Sequence, residues 1–246
     1  MVDVAHIIPR SPDDPPPPPS RWRRWLAGGL AVAVVAGGGL WVWKPWRSLE
    51  IPRSACWSAL SKDDLTPLAG PYGKAFEPVP HARVQTPTAP NEPWVRSNDC
   101  HVRWRGDDDS DRFLLEVQVA PAWDGVDADR ARDTAQHYSV ADLDFGPGAV
   151  GLASTDPSHH VRLYVRCDFQ VPASDKPDRK APQYVRVDVG GDPVGGSSPA
   201  KSRQAYADVA LKIARVAAAE YQCANQVQLP AAAPAVPELA KEKADG

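Results

Sequence analysis

Apolar and polar residues alternate along four stretches of the chain, and each predicts a strand. The clearest runs from His160 to Gln170. Val161, Leu163, Val165, Cys167 and Phe169 fall on one side, and Arg162, Tyr164, Arg166 and Asp168 on the other. Cys100–Arg105 reads the same way, with Cys100, Val102 and Trp104 apolar and His101, Arg103 and Arg105 polar. Phe113–Val119 follows it across Gly106–Asp111, a run of turn formers that predicts a hairpin. Tyr184–Val189 repeats the pattern. Spacing by three and four marks helices instead. Tyr206, Val209, Ala210, Ile213, Val216, Ala217 and Tyr221 form one stripe, with Ser198 as N-cap and Pro199 in the first turn. Cys56–Leu68, with Leu60, Leu65 and Leu68, predicts a shorter amphipathic helix, and Asp127–Val140 a third. Gly70–Pro93 and Pro172–Pro182 are read as loops.

A different pattern stands near the N-terminus. Arg21–Trp46 has no acidic residue, and its uncharged core Trp25–Trp43 is 19 residues long. As a helix that run measures about 28 Å, the thickness of a bilayer's hydrocarbon layer. Arg10, Arg21, Arg23 and Arg24 precede it, and Trp22, Trp25, Trp41, Trp43 and Trp46 flank both ends. Basic excess and aromatic belt predict a single-pass anchor with the N-terminus inside, in preference to a cleaved export signal. Gly29, Ala33 and Gly37 lie on one helix face, where small residues permit homodimer contact. The predicted organisation is a Pro-rich cytoplasmic tail (1–20), an anchor (21–46), a linker (47–55), an extracytoplasmic domain (56–226) and a disordered tail (227–246).

The four cysteines, Cys56, Cys100, Cys167 and Cys223, all follow the apolar run. An even count in an exported domain predicts two disulfides. Strand phase favours Cys56–Cys100 and Cys167–Cys223, because each pair then pins a helix to the apolar face of a strand. Each loop closure contributes about 4 kcal/mol in the chain-entropy model. The expected fold is α+β: an antiparallel sheet with helices on one face and the other face open.

On that open face alternation places Arg103, Arg105, Arg162, Tyr164, Arg166 and Arg186, a candidate grip for an anionic ligand. The competing expectation pairs these arginines across strands with Glu116, Asp168 and Asp188. Two catalytic motifs are missing: there is no G-x-S-x-G and no H-E-x-x-H. Gly146–Gly151 spells G-x-G-x-x-G without the strand and helix that nucleotide binding requires. A net charge of −3 gives no basic field for nucleic acid. No metal and no cofactor are expected.

The layout from the Cys56-Trp57-x-x-Leu60 segment to the long helix closed by Cys223 resembles the extracytoplasmic sensor-like and lipoprotein-like domains of actinobacterial cell envelopes. Those include the external domains of some membrane-anchored serine/threonine kinases. The resemblance implies two disulfides, an antiparallel sheet with helices, and ligand binding, and it brings no site residues with it. The expectation is a membrane-anchored binding module of the cell envelope, not an enzyme, whose partner is an anionic cell-wall polymer or an envelope protein. The alternative is an envelope assembly or scaffold protein acting through protein contacts.

Overall fold

The computed structural model describes residues 48–86, 97–106, 111–156, 160–169, 182–192, 194 and 198–239. They belong to one compact unit, Ser48–Gly246. In chain order its elements are β1 (Leu49–Glu50), β2 (Ser54–Ala55), β3 (Leu60–Ser61), α1 (Lys62–Leu65), β4 (Gly73–Phe76), β5 (Asn98–Arg105), β6 (Asp111–Ala122), α2 (Val126–Ala135), β7 (Val140–Asp144), β8 (Ala149–Ser154), β9 (Val161–Arg166), β10 (Tyr184–Gly190) and α3 (Pro199–Glu220). Eight strands form one sheet in the order β1-β4-β5-β6-β10-β9-β8-β7.

Two features overturn the expected fold class. The sheet is mixed, because β1 pairs with β4 in parallel while its other ladders are antiparallel. Helices also lie on both faces. Val161, Leu163, Val165, Val185, Val187 and Val189 share one core with Tyr206, Val209 and Ile213 of α3. On the opposite face Val126 of α2 packs with Leu152 and Tyr164. Strand β9 is therefore sealed on both sides, and only its last residue, Arg166, is exposed. Among the described residues no helix is long and apolar enough to cross a membrane. The Arg21–Trp46 run, with Gly29, Ala33 and Gly37, lies outside the described residues.

Helix α3 holds the main core. Ser198 Oγ accepts from the Lys201 N–H, and proline occupies the first turn. Ala207, Ala210, Ala214 and Ala217 are fully buried, so small side chains let the helix lie close on β9 and β10. Cys167–Cys223 ties its end to the strand, with 4.9 Å between Cα atoms. Cys56–Cys100 joins the start of the unit to β5 across 5.4 Å. Both pairings are those favoured by strand phase.

The helix expected over Cys56–Leu68 is reduced to the single turn of α1 (Lys62–Leu65). Cys56, Trp57 and Ser58 have φ of 48°, 59° and 61°, a left-handed turn that reverses the chain between β2 and β3. Such residues cost about 1–2 kcal/mol each. The disulfide, a hydrogen bond from the Cys56 N–H to Glu77 (3.1 Å) and burial of Trp57 offset this. The leucine spacing is satisfied another way. Ser61 and Asp64 form a capping box that starts α1, and Leu60, Leu65 and Leu68 are all buried.

Besides the two-residue strands β1, β2 and β3, periodicity did not reveal β4, β7 and β8. β4 falls in the proline-rich stretch read as loop. β7 and β8 form a hairpin whose turn uses Gly146 (φ 94°) and Gly148 (φ 77°), so the G-x-G-x-x-G string builds a tight turn. Over its described residues the tail is also corrected. Residues 227–239 pack against the domain, and Leu239 is 3% exposed.

Candidate functional site

The sheet face opposite α3 bears the predicted arginines, and α2 divides it into a covered half and an open half. The covered half centres on Arg162, which is 2% exposed. Its Nη1 donates to Asp133 Oδ2 (2.6 Å) and its Nη2 to Asp156 Oδ2 (3.0 Å). Its Nε lies 3.9 Å from Asp129 Oδ2 and 3.8 Å from Asp188 Oδ1. Burial opposes the charge, yet the hydrogen bond to Asp133 and the fields of Asp133, Asp129 and Asp188 keep the guanidinium's pKa above its ordinary value. Asp129 and Asp133 come from α2, one turn apart on its inward face. Tyr164 OH donates to Asp129, and Arg132 pairs with the same carboxylate. Burial, with Asp129 alongside, pushes the Tyr164 phenol up. Arg186 Nε sits 2.8 Å from Asp188 Oδ2 off the N–H direction, an ion pair and not a directed hydrogen bond.

Four aspartates thus gather around Arg162 and Arg186 beneath α2, and Arg132 of α2 itself pairs with Asp129 from the solvent side. Asp133 Oδ1 is buried without a hydrogen-bond partner among the described residues. The network is a structural latch: it fixes α2 to β9 and β10 and leaves Arg162 and Tyr164 turned away from solvent. The reading of these two residues as part of an open face is corrected on that ground.

The open half spans β4, β5 and β6. Arg103 and Arg105 project from β5 with 37% and 49% of their side chains exposed. The Arg103 guanidinium lies over the Phe113 ring, 4.6 Å from its centre. Arg105 lies over Phe76 at 5.2 Å. Arg105 also forks onto Asp111, with Nε and Nη2 donating at 3.0 and 3.2 Å, and holds that carboxyl below its ordinary pKa range. Arg103 Nη1 reaches Asp111 only at 3.9 Å. His101 stands 5.5 Å from Phe113 and 3.6 Å from Glu116. Each guanidinium therefore lies over a ring on a neighbouring strand, and that of Arg105 is also paired with Asp111.

Neither ring was placed here by the sequence reading. Strict alternation puts Phe113 on the same side as Leu115. The register instead shifts between Val102 and Arg103, so that Leu115 pairs with Val102 and Phe113 with Arg103. Leu114 and Leu115 are both buried, and this bulge turns Phe113 outward. The Leu114-Leu115 doublet was the available signal. Phe76 was missed because β4 was read as loop.

The other candidates lie between or beyond these halves. Arg186 is 28% exposed and donates to Gln118 Oε1 at 3.3 Å, while Gln118 Nε2 donates to Asp99 at 3.0 Å. That line links the latch to the open half. Arg166 ends β9, with Asp168 at 3.9 Å, and belongs to neither group. Among the described residues no group of His, Cys, Asp and Glu is arranged to hold a metal ion. No family model matches this chain, and no curated protein or solved structure matches it either.

Proposed function

We propose that the domain is an extracytoplasmic binding module that takes an anionic ligand, in the first instance a polymer of the cell envelope, on the open half-face. The observation that supports this is the pair of exposed arginines laid over aromatic rings on neighbouring strands. Stacking orders each guanidinium before a ligand arrives, which lowers the entropy lost on binding. A row of two such groups fits repeated phosphate or carboxylate groups better than a single small anion. Two disulfides fit an oxidising compartment.

The test is co-sedimentation of the full chain with purified cell wall, before and after its anionic polymers are stripped, across a salt series. Binding is expected to need the polymers and to weaken steeply with salt. Arg103→Ser with Arg105→Ser is expected to reduce affinity roughly tenfold to a hundredfold, since a hydrogen bond to a charged group contributes about 1.5–3 kcal/mol. Equal binding by the double variant sinks the site. No binding at low salt sinks the ligand class.

A further inference from the structure

The C-terminal strap is held in an unusual manner for a tail of its composition. Residues 227–239 contain Pro230, Pro234 and Pro237 between small residues. Gln204, Asp208 and Arg215 lie along one side of α3, at spacings of four and seven. Arg215 Nη2 donates to the carbonyls of Pro230 and Ala231, the latter at 3.1 Å. Asp208 accepts from the Ala233 N–H. Gln204 bonds twice: its Nε2 donates to Pro234 O (3.2 Å), and its Oε1 accepts from the Val236 N–H (2.9 Å). Each of these contacts goes to strap backbone, so the helix face reads an extended main chain and not particular side chains. Val227, Leu229, Ala233 and Val236 add apolar contact.

The strap also leaves space. A cavity of about 400 Å³ lies among Arg215, Ala218, Ala219, Asn225 and Leu229. The space lies at the start of the strap, beside Leu229 and the Arg215 end of the rail.

We propose that this face of α3 is a docking rail for an extended proline-rich segment of a partner protein, with residues 227–239 as its built-in competitor. A proline-rich chain suits such a rail because it is already extended and loses little entropy on docking. The tethered strap acts at an effective concentration of order millimolar, so it masks the rail until displaced. The partner's chemistry follows from the contacts: prolines spaced by small residues, free carbonyls for Arg215 and Gln204, and a larger apolar side chain where Leu229 now sits.

The experiment uses the full chain and a fluorescent peptide copy of residues 226–239. Wild-type protein is expected to bind it weakly. Val236→Asp with Leu239→Asp, which loosens the strap without touching the rail, is expected to bind at least tenfold tighter. Adding Gln204→Ala and Arg215→Ala should remove that gain, and a Leu229→Phe peptide should bind tighter still. If the loosened variant binds no better than wild type, or the rail variants bind equally well, the proposal is overturned. Should the loosened variant lose its far-ultraviolet circular dichroism, wild-type protein decides the matter. Excess peptide must accelerate amide exchange at Ala233 and Val236, and unchanged exchange overturns the proposal. A dimer formed by mutual exchange of straps, seen by light scattering without added peptide, would replace the outside partner with a second copy and overturn that assignment.

Discussion

The two halves of one sheet face carry the same residue types at alternate strand positions, yet they have opposite fates. Arg162 meets four carboxylates out of water beneath α2, and Arg186, at the edge of that cover, pairs with Asp188. Arg103 and Arg105 stand where, among the described residues, no helix lies over them, and they meet aromatic rings and one exposed carboxylate. Position relative to α2 decides the role of each arginine. Buried, a guanidinium is a structural part whose removal leaves charges stranded. Open, it is a surface group that folding hardly needs and a ligand is free to use.

The largest effect that separates the halves is on stability. Arg162→Ala should destabilise by about 3–5 kcal/mol, because it strands buried carboxylates. Urea unfolding measures this directly, and a midpoint close to wild type would show the latch to be solvated after all. Arg103→Ala should leave the midpoint nearly unchanged. A smaller effect comes from pH on the α3 side of the sheet. His160 immediately precedes β9, stacks on Tyr206 at 5.2 Å and contacts Gly191 O at 3.0 Å. Asp156, Asp192 and Arg203 surround it, and burial, the largest influence, lowers its pKa. The unfolded histidine, with a pKa of about 6.5, then binds a proton that the folded one refuses. Its stabilising contribution is complete above that value and is lost as pH falls toward the folded pKa. The urea midpoint should decline from pH 7 to 5, and His160→Phe should flatten that slope. An unaltered slope in the variant would assign the decline to other groups. The smallest effect sharpens the open half. Phe113→Ser removes the ring under Arg103, an interaction of about 0.5–1 kcal/mol at an exposed site. Stability should change little while polymer affinity falls by less than the double arginine variant. An affinity equal to wild type would show that the ring does not organise the site.

What was legible in the sequence follows from which forces leave a periodic trace. β9 alternates cleanly, α3 has a continuous apolar stripe, and the cysteines are in phase with both, so those elements and the disulfide partners were foreseen. α2 was expected as a helix over Asp127–Val140, but its packing on the sheet left no such trace. Its buried residues are Val126, Asp129 and Asp133, and a helix with an acidic inner face reads as solvated. Its packing partner is a guanidinium on a strand 29 residues from Asp133, which local spacing does not reveal. The same limit explains the strap. Its alanines and prolines have little apolar surface, so composition points to disorder, whereas α3 side chains satisfy its backbone. The bulge at Leu114 shifted the phase of one residue and so hid the Phe113 platform. An open arginine face was therefore expected in one piece, and half of it proved to be under a helix.

The two disulfides also determine how the domain takes tension. A pull on the chain before Ser48 peels β1, which has only two residues, and then meets the Cys56–Cys100 bond. A pull from the C-terminal end strips the strap and stops at Cys167–Cys223. Residues 57–99 and 168–222 hang outside that covalent load path. Stretching the oxidised domain end to end thus lengthens only the segment between Cys100 and Cys167 and the two short ends. Helix α3 and its rail stay off the line of force, and single-molecule extension should jump to longer steps once the bonds are reduced.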